Sequence, residues 1–239
     1  MTLAAAELQD HIALERPVES SQRPYTVVNM VTSVDGRITV GERVGSLTST
    51  LDQSLLAGLR AQADVVLVGA ATVRAEGYGR LLRDDQREAR VAAGLDREPL
   101  LCVLTRSVTF DPIPEAFRSP EMRVVVATSS PDGELPTTGA QVDYLRYASD
   151  PAVPIVTLVE DLAHRYDARV CVCEGGPDVA AEVVNAGVCN ELFVSVSPQL
   201  VGGLGQTGLL SAALRSSRTL RLRSLARGDD HVFLRYVVD

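Results

Sequence analysis

Residues 169–187, RVCVCEGGPDVAAEVVNAG, contain the pattern that decides the fold. The apolar run VCVC is typical of a short strand that is covered on both faces of a sheet. It stops at EGG, and a proline follows at the position where the first residue of a helix belongs. The segment therefore predicts a buried strand, a tight turn and a helix, which is the unit that builds parallel α/β sheets.

Other parts of the chain repeat this alternation of strands and helices. Strands are predicted at residues 25–33, 65–68, 100–105, 123–127, 142–147, 169–173, 191–197, 220–224 and 232–238. Helices are predicted at residues 50–61, 155–166 and 177–186. Because the last strands have no helices between them, they are expected to pair antiparallel. We therefore predict an α/β fold in three layers, with a mainly parallel sheet, an antiparallel C-terminal edge and helices on both faces.

The domain organisation follows from the absence of a linker or an internal repeat. Residues 25–239 are predicted to form a single domain, and residues 1–24 an N-terminal arm with a short helical stretch. Residues 83–98, RDDQREARVAAGLDRE, are strongly charged and are interpreted as a solvated surface excursion. Residues 203–208 match G-x-G-x-x-G, but they begin several residues after a strand and are interpreted as a flexible loop.

The charge balance and the cysteine content argue against several classes of protein. The 239 residues include 23 basic and 31 acidic side chains, which gives a formal net charge of −8. Binding to nucleic acid is not expected, because contacts with phosphates need clustered Lys and Arg. Proline and glycine interrupt the longest uncharged run, so no membrane span is predicted. The four cysteines have neither disulfide nor zinc-type spacing, so we expect no metal site and a cytoplasmic protein.

The turn after the strand at 169–173 is a candidate binding site. Gly175 and Gly176 let a ligand approach the backbone, and the free N–H groups of the next helix attract anions such as a diphosphate. Glu174 stands at the carboxyl end of the strand, where α/β sheets hold ligands, and can accept hydrogen bonds from a substrate. A plain strand-to-helix turn and a surface salt bridge explain the same residues without a ligand.

Two weaker patterns suggest contacts with a nucleotide. Arg106 and Ser107 follow a predicted strand, and an Arg beside a hydroxyl suits the 2′-phosphate that distinguishes NADP from NAD. Thr72 and Glu76 lie four residues apart, on one face of a short predicted helix. Solvent exposure and helix capping explain these residues equally well.

Five segments, taken in order, carry a more specific signal. They are NMVTSVDGRI (29–38), LRAQADVVLVGAATVRAEGYGRL (59–81), LTRS (104–107), EGGPDVAAEVVNAGVCNEL (174–192) and SPQLVGG (197–203). Together they resemble the riboflavin-pathway pyrimidine reductases, which have a dihydrofolate-reductase-like fold. The resemblance extends over residues 24–238.

This resemblance implies an NADPH-dependent reductase and a set of site residues. Its substrate would be a 5-amino-6-ribosylamino-uracil phosphate, or the related diaminopyrimidinone, whose ribosyl group is opened and reduced by hydride at C1′ to ribityl. Implied cofactor contacts are Thr72, Glu76, Arg106, Ser107, Gly175, Gly176, Pro177 and Asp178. Implied substrate contacts are Asn29, Ser33, Asp35, Arg60 and Glu174. Of these, Glu174 and Asp35 are the catalytic candidates, and Arg60 is the candidate ligand of the phosphate.

The chain also departs from the family pattern. Glu76 occupies a position that is usually Asp, and residues 44–46 read VGS where the family often has a Trp. A dihydrofolate or pterin reductase of the same fold, or a non-catalytic NADP-binding homologue, are therefore the alternatives. The zinc-deaminase motifs of bifunctional relatives do not occur in the sequence. The family also implies a homodimer.

Overall fold

The strands and helices follow the apolar patterning of the sequence. The computed structural model describes residues 5–17, 21–40, 46–136, 138–148, 152–203, 208–211 and 214–239. Within them the strands are β1 Tyr25–Ser33, β2 Val65–Gly69, β3 Leu100–Thr105, β4 Arg123–Thr128, β5 Gln141–Arg146, β6 Val170–Cys173, β7 Glu191–Ser197, β8 Leu220–Gly228 and β9 His231–Val238. The helices are α1 Ala5–Ile12, α2 Thr50–Gln62, α3 Ala70–Glu76, α4 Asp84–Ala92, α5 Glu115–Arg118, α6 Ile155–Tyr166 and α7 Pro177–Asn185.

All of these strands join one sheet. Their order is β5-β4-β3-β2-β6-β1-β7-β9-β8. The strands from β5 across to β7 are parallel, whereas β9 pairs antiparallel with β7 and β8 pairs antiparallel with β9. The predicted α/β class, with a mainly parallel sheet and an antiparallel C-terminal edge, is confirmed.

The two faces of the sheet carry separate apolar cores. Alternate side chains of a strand point to opposite faces, so Cys171 and Cys173 of β6 pack on one side and Val172 on the other. Helices α6 and α7 cover the first face, and α2, α3 and α5 cover the second. The carboxyl ends of β1, β2 and β6 lie side by side near the middle of this three-layer arrangement.

The interpretation of residues 83–98 as a solvated excursion holds for most of the segment, but three of its charged side chains are buried. Helix α4 occupies much of this segment, and its Arg87 and Arg90 are only 1% and 3% exposed. Arg87 forms an ion pair with the buried carboxylate of Glu98, with 3.0 Å between Nε and Oε1. Arg90 donates hydrogen bonds to the carbonyl oxygens of Ala61, near the end of α2, and Ala63, just after it. Arg87, Arg90 and Glu98 can thus be buried because each has a partner, which composition alone does not reveal.

The N-terminal arm contacts the main sheet through α1. Ile12 fills the space above Gly58 of α2, where a Cβ would overlap the Ile12 side chain. Arg235 of β9 donates hydrogen bonds to the carbonyl oxygens of His11 and Ala13. The guanidinium of Arg235 also pairs with the fully buried Glu191. The arm is therefore fixed to the antiparallel edge by buried contacts, while the boundary at residue 24 stays a prediction.

Acidification is expected to loosen this arm through His11. The imidazole is buried, and burial together with the charge of Arg235 lowers its pKa from 6.5 to about 4. Between these values the unfolded chain binds more protons at His11 than the folded chain, so stability falls as the pH falls, by at most about 3 kcal/mol. Urea unfolding at pH 7 and pH 4.5 should show this loss in the native protein and a smaller one in His11→Gln. The exposed His164→Gln is the control, and an unchanged pH dependence in His11→Gln would contradict the assignment.

Some sequence-based interpretations fall on residues outside the described ranges. Four of the six residues of the G-x-G-x-x-G loop, 204–207, lie there, as do residues 44 and 45 at the position of the family's Trp. No helix of the described residues is long and apolar enough to span a membrane.

Candidate active site

A cavity of about 550 Å³ opens between α2, α3 and the carboxyl end of β6. One face of α2 forms a wall of it, through Asp52, Leu56 and Arg60. These residues recur every four positions, which places them in one row along a helix. A cavity of this size at the carboxyl ends of parallel strands is the usual location of a small-molecule site in α/β folds.

The Glu-Gly-Gly turn borders the cavity between β6 and α7. The carbonyl of Gly175 accepts a hydrogen bond from the N–H of Gly69 at 2.7 Å, which joins this turn to the end of β2. The Gly175–Gly176 peptide bond is cis, and Gly175 has a φ of +80°. A Cβ on Gly176 would lie 2.9 Å from Oγ1 of Thr72, so a side chain there would crowd α3. Glycine is therefore needed for this close approach of the two turns.

An ion pair between α2 and the end of β6 forms the polar wall of the cavity. Arg60 contacts Glu174 in a bidentate manner, with 2.6 Å from Nε to Oε1 and 2.6 Å from Nη2 to Oε2. The hydroxyl of Tyr78 donates a hydrogen bond to Oε2 of Glu174 at 2.5 Å. The guanidinium of Arg60 also lies over the ring of Tyr78, 5.3 Å from its centroid. Three side chains from different segments thus hold one another in fixed positions.

Burial and charge shift the pKa values of this cluster. Burial opposes the charge of Arg60, but the Glu174 carboxylate more than offsets it, so the pKa of Arg60 lies above its usual value. Burial, and then the negative charge of Glu174, raise the pKa of Tyr78 well above 10. The guanidinium is therefore cationic and the phenol protonated at neutral pH, so Tyr78 remains a hydrogen-bond donor to Glu174.

Two further polar groups face the same cavity. Asp52 lies in the first turn of α2 and is only 5% exposed, and burial raises the pKa of its carboxyl group. Asn29 lies on β1, and its buried Oδ1 has no hydrogen-bond partner among the residues that the structure describes. Buried polar atoms without partners are costly, which makes Asn29 a candidate to accept a hydrogen bond from a ligand.

The structure brings together seven of the residues expected from the sequence. Asn29, Arg60, Thr72, Glu76, Glu174, Gly176 and Pro177 all line the cavity. Gly175 lies within the turn behind this lining. Asp178, in the first turn of α7, hydrogen-bonds to the hydroxyl of Ser211. Arg106 and Ser107 are exposed beyond the end of β3, apart from the cavity lining.

Asp35 and Ser33 lie outside the cavity lining. The Ser33 hydroxyl donates a hydrogen bond to Asp35 at 2.6 Å, and the N–H groups of Val201 and Gly202 donate to the same carboxylate. These hydrogen bonds, that of Ser33 first, lower the pKa of Asp35 well below its usual range. Asp35 thus holds the loop after β7, and its contact with a substrate stays a prediction.

Sequence reasoning missed Tyr78 and Asp52. Tyr78 follows α3 by two residues, and nothing local relates it to Glu174, which is 96 positions away. An acidic residue in the first turn of a helix ordinarily interacts with the helix dipole, so the position of Asp52 in the sequence did not indicate a role in binding. Its burial against the sheet, beside Ser195 of β7, becomes visible only in three dimensions.

Comparison with known proteins assigns the family. A model described as the RibD C-terminal domain matches residues 24–234. The chain belongs to the RibD C-terminal domain family. As a member of this family it is an oxidoreductase of the pyrimidine reductase type.

Two curated proteins and one solved structure are similar to this chain. The chain is 26% identical over 185 residues to the 2,5-diamino-6-ribosylamino-4(3H)-pyrimidinone 5′-phosphate reductase of Archaeoglobus fulgidus, covering 76% of this chain and 83% of that protein. It is 27% identical over 217 residues to the Aquifex aeolicus protein of the same name, covering 85% and 91%. A pyrimidine reductase-like protein from Corynebacterium diphtheriae has the same fold, with a TM-score of 0.76, 24% identity and coverage of 93% and 95%.

Proposed function

We propose that the chain is an NADPH-dependent reductase of 2,5-diamino-6-ribosylamino-4(3H)-pyrimidinone 5′-phosphate, the compound for which its relatives are named. The ribosylamino group of this substrate would be reduced to a ribitylamino group. The observation that carries the proposal is one cavity bordered both by a glycine turn at a helix N-terminus and by the buried Arg60–Glu174 pair. The first element suits a dinucleotide, and the second suits a polar, phosphorylated substrate.

The glycine turn fits the diphosphate of a nicotinamide dinucleotide. Helix α7 begins at N-cap Gly176 without a side-chain cap, so the N–H groups of its first turn are available to an anion. Residues proposed to hold the cofactor are Thr72, Glu76, Gly175, Gly176, Pro177 and Asp178, with Arg106 and Ser107 at the 2′-phosphate. When bound, NADPH supplies the hydride that reduces the substrate.

The polar wall is proposed to bind and orient the substrate. The pair with Glu174 fixes the guanidinium of Arg60, which keeps one N–H on each terminal nitrogen for the substrate's phosphate. Asn29 offers its unpartnered Oδ1 to an N–H of the substrate. Glu174 orients the end of the substrate that carries C1′ and donates or accepts the proton that the reduction requires. Ser33 and Asp35 border the substrate beside the loop that follows β7.

Apolar side chains help to keep water from the reacting carbon. Val31, Ile38 and Leu56 add apolar surface to the lining of the cavity. Hydride transfer needs near-contact distances and a site without competing water, which such a wall provides. The cavity therefore combines orientation with exclusion of solvent.

The proposed function is tested by the oxidation of NADPH in the presence of three substrates. We expect turnover with the ribosylamino-pyrimidinone phosphate, slower turnover with the corresponding uracil, and none with dihydrofolate. Turnover with dihydrofolate alone would favour the pterin reductase alternative. NADPH binding without any turnover would instead favour a non-catalytic homologue.

Arg106→Ala is expected to weaken the binding of NADPH much more than the binding of NADH. A charge-assisted contact with the 2′-phosphate is worth about 1.5–3 kcal/mol, so KM for NADPH should rise about tenfold to a hundredfold while KM for NADH stays nearly constant. The exposed Arg118→Ala is the matched control. Equal changes for both cofactors would remove Arg106 from the 2′-phosphate site.

A homodimer through the β8 edge is also proposed. Leu222 and Leu225 of this edge strand are 53% and 58% exposed, and Leu220 lies in the same row. Exposed apolar side chains on an edge strand are typical of a protein interface. Light scattering should give twice the 25.6 kDa of one chain, and Leu222→Asp should give monomers. Val91→Asp, a change at an equally exposed site on α4, should stay dimeric, and a monomeric native protein would contradict the proposal.

The protein is further proposed to act in the cytoplasm. Its four cysteines are free and buried, as expected of a chain that works in a reducing compartment. Burial raises the pKa of each of these thiols, which makes them poorly reactive.

A further inference from the structure

Two buried carboxyl groups line the cavity, and they differ in the ion pairs and hydrogen bonds that they form within the protein. Glu174 already receives three donors, two from Arg60 and one from Tyr78. Asp52 is equally well buried, yet among the residues that the structure describes no Arg or Lys forms an ion pair with it. Asp52 therefore retains more acceptor capacity for a ligand than Glu174, whose carboxylate has about one of its four lone-pair sites left.

The surroundings of Asp52 hold its carboxyl group in place without an ion pair to Arg or Lys in the part of the chain that the structure describes. The backbone N–H of Asp52 donates to the hydroxyl of Ser49 at 3.1 Å, which fixes the first turn of α2. The side chain of Ser195 on β7 hydrogen-bonds to the carboxyl group. The nearby imidazole of His231 contacts the carbonyl oxygens of Asp229 and Leu47 rather than Asp52.

The position of Asp52 along α2 separates it from the ion pair. Asp52 and Arg60 are eight residues apart on the same helix face, a rise of about 12 Å. A pyrimidine ring joined to a phosphorylated sugar is long enough to reach from one to the other. With the phosphate at Arg60, the ring lies toward Asp52 and beside Asn29, which lines the same cavity.

We propose that the carboxylate of Asp52 binds the edge of the pyrimidine ring that carries the 2-amino group and so selects a 2-amino ring over a 2-oxo ring. In the pyrimidinone, N3–H and the 2-amino group are adjacent donors, and a carboxylate accepts both in parallel. In the uracil, the 2-oxo group is an acceptor and would face a carboxylate oxygen without a proton between them. The inference rests on the proposed function for the identity of the substrate.

The test separates ring recognition from turnover by measuring binding of two free bases. The probes are 2,5,6-triamino-4(3H)-pyrimidinone and 5,6-diaminouracil, which differ at position 2. Titration calorimetry with the native protein should show tighter binding of the triamino compound by about 100-fold, because a site built for a donor strongly rejects an acceptor. Equal binding, or preference for the uracil, in the native protein would overturn the inference and needs no variant.

Asp52→Asn should shift the preference toward the uracil. An amide offers one acceptor and one donor, which complements N3–H and the 2-oxo group, so the affinity ratio should fall to about 1 or reverse. NADPH affinity should stay within about twofold of the native value, which shows that the cavity is still formed. Asp85→Asn, the same change at an exposed residue in the first turn of α4, should leave the ratio unchanged.

The outcomes distinguish the two proposals. A folded Asp52→Asn variant that binds both bases more weakly by the same factor, so that the ratio of the two affinities is unchanged, would refute the role of Asp52 in selection. A native protein that prefers the triamino base but reduces neither ribosylamino substrate would support the inference about Asp52 and refute the proposed function.

Discussion

Glu174→Gln is expected to lower kcat/KM for the pyrimidinone substrate by about 100-fold or more. The substitution keeps the size of the side chain but removes the charge that holds Arg60 in a bidentate contact. An uncompensated buried guanidinium then shifts, and the hydrogen bond from Tyr78 weakens. Losing one partner of a buried ion pair also costs about 3–5 kcal/mol of stability. Steady-state kinetics and thermal unfolding of the same preparation measure both effects.

Glu98→Gln is the matched control for this experiment. Glu98 is a buried carboxylate paired with the buried Arg87, but its side chain is not part of the cavity lining. Its loss should lower the melting temperature by a similar amount and leave kcat/KM nearly unchanged at temperatures where the protein is folded. Equal losses of kcat/KM in both variants would mean that Glu174 has only a structural role.

Gly175→Ala is expected to weaken NADPH binding by at least about tenfold. Gly175 has a φ of +80°, and a Cβ there would lie 2.9 Å from Sδ of Met30, which lines the cavity. The left-handed conformation alone costs a non-glycine residue about 1–2 kcal/mol. Relief of the contact moves the turn that carries Gly176 and the start of α7, where the diphosphate is proposed to bind. Fluorescence titration with NADPH measures the loss.

Gly94→Ala separates backbone strain from the close contact. Gly94 has a φ of +77°, and among the described residues other than its two chain neighbours no atom lies within 4 Å of the position that a Cβ would occupy. Its replacement should lower the melting temperature by about 2–8 °C, as expected for a 1–2 kcal/mol strain in a chain of this size, and leave NADPH affinity unaffected. Comparable loss of affinity in the two variants would contradict the assignment of the glycine turn to the cofactor.

The fold was predictable because its central strands are short apolar runs between clear turns. Strand β2 reads VVLV before a glycine, and β6 reads VCVC before a pair of glycines, so their limits were placed within one residue. Helix α4 could not be recognised, since its charges suggested solvent, while the buried Arg87 and Arg90 have their partners beyond the helix, at Glu98 and Ala63.

The site was only partly predictable, because its contacts join distant parts of the chain. Glu174 and Arg60 were both expected at the substrate, but their pairing across 114 positions has no local signature. Tyr78 and Asp52 carry ordinary local patterns, and only packing against the sheet turns them toward the cavity. Local motifs and the resemblance therefore brought residues of both the cofactor set and the substrate set to the cavity, and their roles there stay predictions.

Transfer of deuterium from NADPH to the substrate tests the central claim most directly. The protein is incubated with NADPH deuterated at C4 of the nicotinamide, on each face in turn, and with 2,5-diamino-6-ribosylamino-4(3H)-pyrimidinone 5′-phosphate. Mass spectrometry and NMR of the product should find one deuterium at C1′ of a ribitylamino group with one of the two labelled cofactors. A product without deuterium from either cofactor, or no product at all, would contradict the proposed reduction.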